Sequence, residues 1–446
     1  MSDAGIPTPE PAVAATVALN ALGTIAPVQS ASAGVPWLEA LVAGARERAT
    51  QLPVPTPREE AWRFTDLAPL ARQGFAAQRA PVDLDPAALA PLVIEEAAAR
   101  LVFVDGVLVP GWSSLAGLPA GMRLTGLRDA LTDSGDAVRA HFAQHASVER
   151  EFFSALNTAR LADCATLIAG RGVCTAAPVH LLFLASRQSV PVTGSPRLLV
   201  IAEPGAEVVL IEEYASLGET MAFTNALAEI SVGAGASVRH VRVQRENAAS
   251  YHVGRCAVSV GRDGRYSSVS VDTGARLSRL DLEVHLAGGG ARATLDGLAM
   301  IGSRQHSDTH TLLEHAVPDA VSRQLHKCVC DGGSHAVFNG RIVVRPGAQR
   351  TDSAQRSRAL LLSPRAQVNA KPQLEIFADD VKAAHGATVG RIDDEELFYL
   401  VSRGLPMAQA RKLLTYAFAA EVIERIPVRS LVRRLAAQVM AQAGLS

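Results

Sequence analysis

The sequence predicts a mainly β protein with a stacked solenoid core and helical segments at both ends. Three observations lead to this prediction. Between about residues 177 and 392 the chain consists of short β-rich runs separated by Gly and Pro turns, a turn signature recurs there, and the helical spacing of apolar residues is confined to the flanks. The runs include His180–Leu184, Arg197–Ala202, Val208–Glu212, Val238–Val243 and Ala257–Val260.

The recurring signature is a glycine turn that leads directly into a strand. It begins at Gly205, Gly235, Gly264, Gly290 and Gly347. The steps are 30, 29, 26 and 57 residues, and the last is about twice 28. A loose repeat of this length in β-rich sequence is typical of a solenoid, although a β-sandwich, whose strands are also regularly spaced, remains the alternative.

Helical spacing characterises the chain on the N-terminal side of the core. Trp37–Leu52 and Asp129–Ala165 carry apolar residues at helical intervals, and the short apolar piece Ala99–Val104 between them resembles a strand. The first 35 residues are rich in Ala, Pro, Ser and Gly, which is typical of a loosely held terminus.

Helical signals return at Asp393. Either Asp393 or Asp394 can cap a first helix that ends at Gly404, Pro406 opens a second helix, and Pro427 separates it from a third. The chain therefore divides into a flexible N-terminal arm, a mainly helical N-terminal region, a β-helix core and a C-terminal helical module, at residues 1–35, 36–170, 171–392 and 393–446.

Composition narrows the function. The chain has 446 residues, 43 Lys and Arg against 44 Asp and Glu, 48% hydrophobic and 4% aromatic residues. The near-zero net charge and scarce aromatics argue against a nucleic-acid-binding protein, and the hydrophobic content allows a large buried core. Five cysteines are too few for a disulfide framework.

Several expected motifs are absent from the sequence. It contains no P-loop, so we expect no nucleotide to be bound by this chain, and it has neither a zinc-protease motif nor a serine-hydrolase elbow. No apolar stretch approaches the ~20 residues of a membrane span. No Lys or Arg precedes Arg46, so a basic signal-peptide region is missing. We therefore expect a cytoplasmic protein without a membrane partner.

Two groups of side chains are candidate metal ligands. The first is a set of late histidines, because imidazole binds borderline metals such as iron, although a hydrogen-bonded role is the simpler interpretation for most of them. They are His306, His310, His315, His326, His335 and His385. The second is Cys328 and Cys330, which lie on one side of a strand and can either bind a soft metal or sulfur or pack as small buried residues.

Several short blocks point together to one family. They are Glu60–Leu67, Arg358–Ser363, Lys371-Pro372, Ala378–Lys382, His385–Gly390, and Phe398–Leu400 with Ser402–Gly404. This combination resembles the SufB/SufD family of iron–sulfur cluster assembly proteins, and its SufD branch in particular. The resemblance is strongest over residues 300–427 and weaker over the rest, and the first ~35 residues lie outside it.

The resemblance implies a right-handed parallel β-helix between the two helical regions. It further implies a non-catalytic scaffold subunit of a SufBCD-type complex, which assembles iron–sulfur clusters and passes them to acceptor proteins. A SufB-like sibling would pair with the β-helix, and a SufC-like ABC-type ATPase would bind the C-terminal module and supply the ATP hydrolysis. The β-helix end that meets the sibling can also pair with itself, so the isolated chain can form a homodimer.

The resemblance also assigns roles to individual residues. His385 matches the family histidine that is expected to bind iron or a transient iron–sulfur cluster at the interface with the sibling. Where the SufD branch often has a cysteine two residues earlier, this chain has Ala383, which favours a single imidazole that completes a site supplied by the partner. The expected contacts with the ATPase are Phe398, Tyr399, Leu400 and Phe418.

Two other functions compete with this one. The chain can be a purely architectural partner of a SufB-like subunit without any contact to the cluster. It can also be a β-helix enzyme acting on polysaccharide through Asp379 and Asp380, but adjacent strand residues point to opposite faces and cannot flank one glycosidic bond. The scarcity of aromatic platforms also disfavours the enzyme.

Overall fold

The computed structural model describes residues 32–76, 85–175, 177–187 and 190–442. The predicted N-terminal arm at residues 1–35 therefore lies outside the described residues, apart from residues 32–35.

The core consists of twenty strands, counted over the described residues. In chain order they are β1 Ala99–Val104, β2 Val107–Leu108, β3 Met122–Thr125, β4 Ala165–Ala169, β5 Val179–Ala185, β6 Val192–Gly194, β7 Arg197–Ala202, β8 Glu207–Ser216, β9 Ala222–Val232, β10 Ser237–Arg245, β11 Tyr251–Val260, β12 Arg265–Asp272, β13 Leu277–Leu286, β14 Arg292–Ile301, β15 His306–His315, β16 Val321–Cys330, β17 His335–Val344, β18 Thr351–Leu361, β19 Gln367–Ile376 and β20 Val381–Gly390.

These strands form two facing sheets. Sheet one contains β1, β2, β5 and the even-numbered strands from β8 to β20, and sheet two contains β3, β4, β6, β7 and the odd-numbered strands from β9 to β19. From β8 onward, successive strands alternate between the sheets, and each pairs in parallel with the strand two places along the chain. The result is a parallel β-solenoid of about eight turns. The solenoid prediction is confirmed, and the β-sandwich alternative, which requires antiparallel sheets, is wrong.

The recurring glycine turns form one corner of the solenoid. Gly205, Gly235 and Gly290 adopt positive φ angles of 75°, 67° and 74°. Each is followed by an alanine that is completely buried, and these alanines belong to the central hydrophobic core. Buried alanines of the same cluster occur at the turns before six strands of sheet one, and they are Ala206, Ala236, Ala291, Ala320, Ala348 and Ala378. The turn recurs at a nearly constant interval because each coil contributes one strand to each sheet before it reaches the same corner.

Seven α-helices flank the strands in the part of the chain that the structure describes. They are α1 Pro36–Gln51, α2 Ala68–Ala71, α3 Leu127–His141, α4 Phe152–Ala159, α5 Asp394–Ser402, α6 Met407–Ile423 and α7 Arg429–Gln442, and short 3₁₀ turns occur at Glu60–Trp62, Pro86–Leu92 and Pro110–Trp112. The strands β1, β3 and β4 come from the same N-terminal region and extend the two sheets.

The helical spacing over Asp129–Ala165 corresponds to two helices rather than to one continuous helix. The chain breaks into α3 and α4, and Ala165 already belongs to β4. Tertiary contacts cause the break: the buried carboxylate of Glu229 accepts hydrogen bonds from the backbone N–H groups of Ala143, His145 and Ala146 at 2.8–3.1 Å. A local pattern cannot reveal an acceptor that lies more than 80 residues away.

The predicted C-terminal helices are confirmed. The side chain of Asp393 caps α5 by accepting from the N–H groups of Glu395 and Glu396 at 2.8 and 3.1 Å, and Gly404 follows the helix with a φ of +93°. The next two helices, α6 and α7, pack their apolar faces on the outer face of sheet one, where Ile423 and Leu435 join the same buried cluster as Val241. Both faces of this sheet are therefore covered over most of its length.

Candidate functional site

The candidate site is the C-terminal end of the solenoid, which β19 and β20 form. In the described part of the chain no further strand pairs with the outer edge of either one. Their side chains are half-buried in β19 and mostly exposed in β20, whereas the preceding strands are mostly buried. Two parallel strand edges and the end of the core are therefore open at one place. Such an edge is a ready template for pairing with another β structure.

His385 lies in the middle of this open end. It pairs in register with Gln355 of β18, and residues paired in a parallel sheet point to the same face. Gln355 is 1% exposed and donates from Nε2 to the carbonyl of Gly340 in sheet two, 3.2 Å away, so this row faces the interior of the solenoid. His385 thus occupies an interior position and is exposed because no further coil of the described chain covers it.

The other candidate histidines have partners within the chain. On the outer face of sheet two, His310 Nε2 lies 2.9 Å from Asp308, and His335 Nε2 lies 2.6 Å from Oδ1 of Asn369. His306 contacts the Thr65 hydroxyl at 2.8 Å, and burial lowers its pKa to about 4.

The remaining two histidines face the interior. His315 Nε2 lies 2.9 Å from the Ser322 hydroxyl, and the His326 ring stacks on Phe338 with centroids 4.4 Å apart. Burial lowers the pKa of both imidazoles to about 4, so they are neutral near pH 7. His385 differs from all five because its ring is free at a surface.

Cys328 and Cys330 are both buried inside the solenoid, with 1% and 0% of their surface exposed. They pack among apolar side chains, including Ala299 and Ala359. Burial raises the pKa of Cys330 to about 12 and also raises that of Cys328, so both are neutral thiols, which are poor metal ligands. No cluster of three or more His, Cys, Asp or Glu side chains suited to a metal occurs within the described residues.

The two aspartates of the competing enzyme hypothesis lie at a turn. Asp379 and Asp380 are exposed in the connection between β19 and β20. The backbone of Asp380 stacks on the preceding coil through Arg350 N–H and the Gln349 side chain, at 2.6 and 2.9 Å. The aspartates therefore belong to the corner of the solenoid rather than to a substrate groove.

The predicted ATPase contacts fall into two groups. Phe398 and Tyr399 on α5 are 73% and 56% exposed, which is unusual for large apolar side chains. Leu400 is half-buried. Phe418 on α6 instead lies against the solenoid, where its ring is 4.3 Å from the Lys327 ammonium and its carbonyl accepts from that group at 2.8 Å.

Sequence reasoning did not identify the residues that support these positions. Lys327 is 1% exposed and fixes α6 to sheet one by pairing with Glu421 as well as contacting Phe418. Gln355 sets the interior row that ends at His385. The positions of Lys327 and Gln355 depend on strand register. The sequence indicated that register only through the imperfect repeat of glycine turns.

Comparison with known proteins places this architecture in a family. Residues 183–418 match the model described as "SUF system FeS cluster assembly, SufBD core domain", and residues 29–181 match "SufBD protein N-terminal region". An iron–sulfur cluster assembly SufBD family protein of Synechocystis is 36% identical over 401 residues, covering 88% of both chains. SufD of Escherichia coli is 35% identical over 86% of this chain and 88% of its own, and SufD of Bacillus subtilis is 26% identical over 90% and 92%.

The fold and its open end define a parallel β-solenoid protein with helical modules at both ends. The chain belongs to the SufBD family of iron–sulfur cluster assembly proteins and is of the SufD type. The family resemblance noted in the sequence is thereby confirmed. None of the described helices has the length and apolar character needed to cross a membrane.

Proposed function

We propose that this chain is a non-catalytic scaffold subunit of a SufBCD-type complex. The complex assembles iron–sulfur clusters and passes them to acceptor proteins, and ATP hydrolysis in a partner subunit drives the process. The observation that carries the proposal is the open coil at β19 and β20, where unpaired strand edges surround the exposed ring of His385. An edge of this kind is unfavourable in an isolated protein and suits a complex.

The sibling subunit in this proposal is SufB-like and pairs with the open coil. Backbone N–H and C=O groups on the outer edges of β19 and β20 supply hydrogen bonds, and the exposed side chains of Ile376, Phe377 and Val389 supply apolar surface. These three side chains are 41%, 58% and 52% exposed, so covering them with a second solenoid is favourable.

The cargo at this interface is iron or a transient iron–sulfur cluster, and His385 is its ligand from this chain. Imidazole nitrogen suits iron, and the neighbouring inward position is Ala383, which offers no ligand atom. One imidazole is too little for a stable site, so the sibling has to supply the other ligands. Cys328 and Cys330 can act as further ligands only if the last coils open, because both thiols are buried.

The ATPase partner is SufC-like, and α5 is its proposed docking element. Phe398 and Tyr399 give this helix an exposed aromatic surface, and aromatic side chains are enriched at binding hot spots. Leu400 and Phe418 then have supporting roles, since one is half-buried and the other holds α6 to the solenoid. This arrangement leaves nucleotide binding to the partner.

The test of the proposal is co-purification under anaerobic conditions followed by His385→Ala. Tagged chain produced with SufB-like and SufC-like subunits should yield a ternary complex. His385→Ala should leave assembly intact, because the side chain is exposed, and should lower the iron and sulfide bound after reconstitution, because the site loses one of its ligands. Thr388→Ala is the matched control, since it lies on β20 on the opposite face.

The alternative is a purely architectural partner of the SufB-like subunit. That function predicts normal iron and sulfide content for His385→Ala in an intact complex. Recovery of the folded chain alone, without either partner, would contradict both functions.

A further inference from the structure

A second site lies on the outer face of sheet two, where residues 60–65 form a strap across the solenoid. Trp62 anchors the strap by stacking on Arg279, whose guanidinium carbon is 3.7 Å from the ring centroid. Arg279 also donates to the carbonyl of Ala61 at 2.8 Å, and the buried Thr65 hydroxyl donates to Asp308 at 2.5 Å. The strap is therefore fixed at both ends to side chains of the sheet.

A cavity of about 180 Å³ remains between the strap and the sheet. Its floor is a grid of outward-facing residues on three neighbouring strands, β15, β17 and β19. One row contains His310, Asn339 and Lys371, and the other contains Asp308, Val337 and Asn369, each aligned by strand register. Glu60, Arg63 and Phe64 of the strap form the roof.

On the floor, the Asp308 carboxylate is already paired with Arg279 and His310, whereas amide donors remain available to a ligand. Asn369 accepts from His335 through Oδ1, which leaves its Nδ2 group as a donor, and no partner for the Asn339 amide occurs among the described residues. Lys371 adds an ammonium group at the edge, where it pairs with Glu60 of the strap. The set therefore matches a ligand with several acceptor oxygens.

Among the described residues, the charge left without an ion-pair partner beside the cavity is a cation. Asp308, the one acid of the floor, is paired with Arg279 Nη1 at 2.5 Å and with His310 Nε2 at 2.9 Å, and Arg279 also pairs with Asp281. The remaining groups are two cations, Lys371 and Arg63, and one acid, Glu60, whose pKa Lys371 lowers. Within the part of the chain that the structure describes, Arg63 forms no ion pair and lies over the Phe64 ring.

We infer that this cavity binds a small organic anion that carries carboxylate groups. One carboxylate lies between Lys371 and Arg63, and further oxygens accept from the amides of Asn339 and Asn369. A volume of 180 Å³ corresponds to about six waters at ~30 Å³ each, which suits an acid about the size of succinate. The inference is independent of the proposed scaffold function, since the cavity lies under the strap and its floor and roof do not include β20.

The experiment is calorimetric titration of the full chain with succinate and with succinamide, which has the same carbon skeleton without charge. Succinate should bind with a dissociation constant of about 1 mM or below, and succinamide at least about tenfold more weakly, because charge-assisted hydrogen bonds are the stronger ones. Equal affinity for the two compounds, or no saturable binding of succinate, would overturn the inference.

Variants locate the binding. Lys371→Met and Asn339→Leu should each weaken succinate binding about five- to tenfold. Arg341→Met is the matched control, because Arg341 lies on the same strand as Asn339, pairs with Glu375 and does not line the cavity. Circular dichroism shows whether each variant is folded. If Lys371→Met unfolds, the affinity of Asn339→Leu for succinate tests the site instead. Equal affinities of all three variants and the parent chain would place succinate elsewhere and reject the site.

Discussion

The closed coils in the middle of the solenoid and the open last coil, formed by β19 and β20, have the same strand geometry but differ in whether their inward polar side chains are paired. Both direct polar side chains into the interior. In the middle, Arg242 is 3% exposed, its Nη1 donates to Asp272 at 2.9 Å and its Nη2 lies 2.7 Å from His252. At the end, His385 occupies an equivalent inward position and meets no partner within the described chain.

The difference separates polar side chains that are paired within the protein from one that has no partner among the described residues. A buried polar group has to be paired inside the protein, because a buried group without a hydrogen-bond partner destabilises the fold by about 1–3 kcal/mol. In the middle coils His240 lies 2.8 Å from Glu212 and 2.9 Å from the Tyr266 hydroxyl, so its ring is fully engaged. An inward imidazole that has no such network is available to a ligand from outside the chain.

The largest expected effect comes from breaking the buried network with Arg242→Met. The change leaves Asp272 buried without its cation and removes one of the charges that stabilise ionised Glu212, and loss of one partner of a buried ion pair costs about 3–5 kcal/mol. Urea unfolding measures the loss. Arg358→Met is the control, because this half-exposed arginine pairs with Glu421 at 3.5 Å and should cost less than about 1 kcal/mol.

A second prediction concerns acid stability at Glu213, which lies in the closed coils. Burial opposes ionisation of this carboxyl, but the His180 hydrogen bond and the charges of Arg245 and Arg434 together lower its pKa from 4.5 to about 2. Because the folded pKa is depressed, the stabilisation is present above pH 4.5 and is lost as the pH falls from about 4.5 to 2.

The measurement is the free energy of unfolding as a function of pH for the parent chain and Glu213→Gln. The parent should lose on the order of 3 kcal/mol more than the variant across this window. Parallel pH profiles for the two proteins would show that Glu213 does not contribute the acid sensitivity.

Substitutions at two glycines test how tightly the middle coils and the last coil are packed. A Cβ at Gly340, in a closed coil, would lie 2.0 Å from Nε2 of Gln355 and 2.8 Å from the Phe338 ring, whereas a Cβ at Gly386, in the open coil, would have nothing within 4 Å. Gly340→Ala should therefore cost about 1–3 kcal/mol by overpacking, and Gly386→Ala less than about 0.5 kcal/mol. Similar losses for both, measured by thermal unfolding, would mean that the end coil is as tightly packed as the middle.

The smallest expected change in stability comes from Tyr399→Asp, which should nevertheless weaken binding of the ATPase partner. Tyr399→Asp on α5 changes an exposed side chain, so the free energy of unfolding should shift by less than about 0.5 kcal/mol. Affinity for the SufC-like ATPase should fall at least about tenfold if α5 docks that partner. Phe418→Asp should instead destabilise the chain, since that ring supports Lys327. Undiminished ATPase binding by folded Tyr399→Asp would exclude α5 as the docking element.

The fold was largely predictable because its causes are local and repeated. The glycine turns, the β-rich runs such as Arg197–Ala202 and the cap at Asp393 each follow from nearby residues, and the structure has them at the predicted places. The break between α3 and α4 was not predictable, because the carboxylate of Glu229 that holds it comes from a distant strand. The same limit applies to the strap, whose Glu60 meets Lys371 only in the folded chain.

The sequence alone therefore predicted the solenoid, the flanking helices and the family. Only the tertiary structure decided which of the candidate side chains are accessible. It buried Cys328 and Cys330, turned Phe418 toward the solenoid, and left the ring of His385 exposed at the last coil. The physical reason is that exposure and pairing depend on strand register and on where the stack of coils ends, and neither is encoded by any short segment.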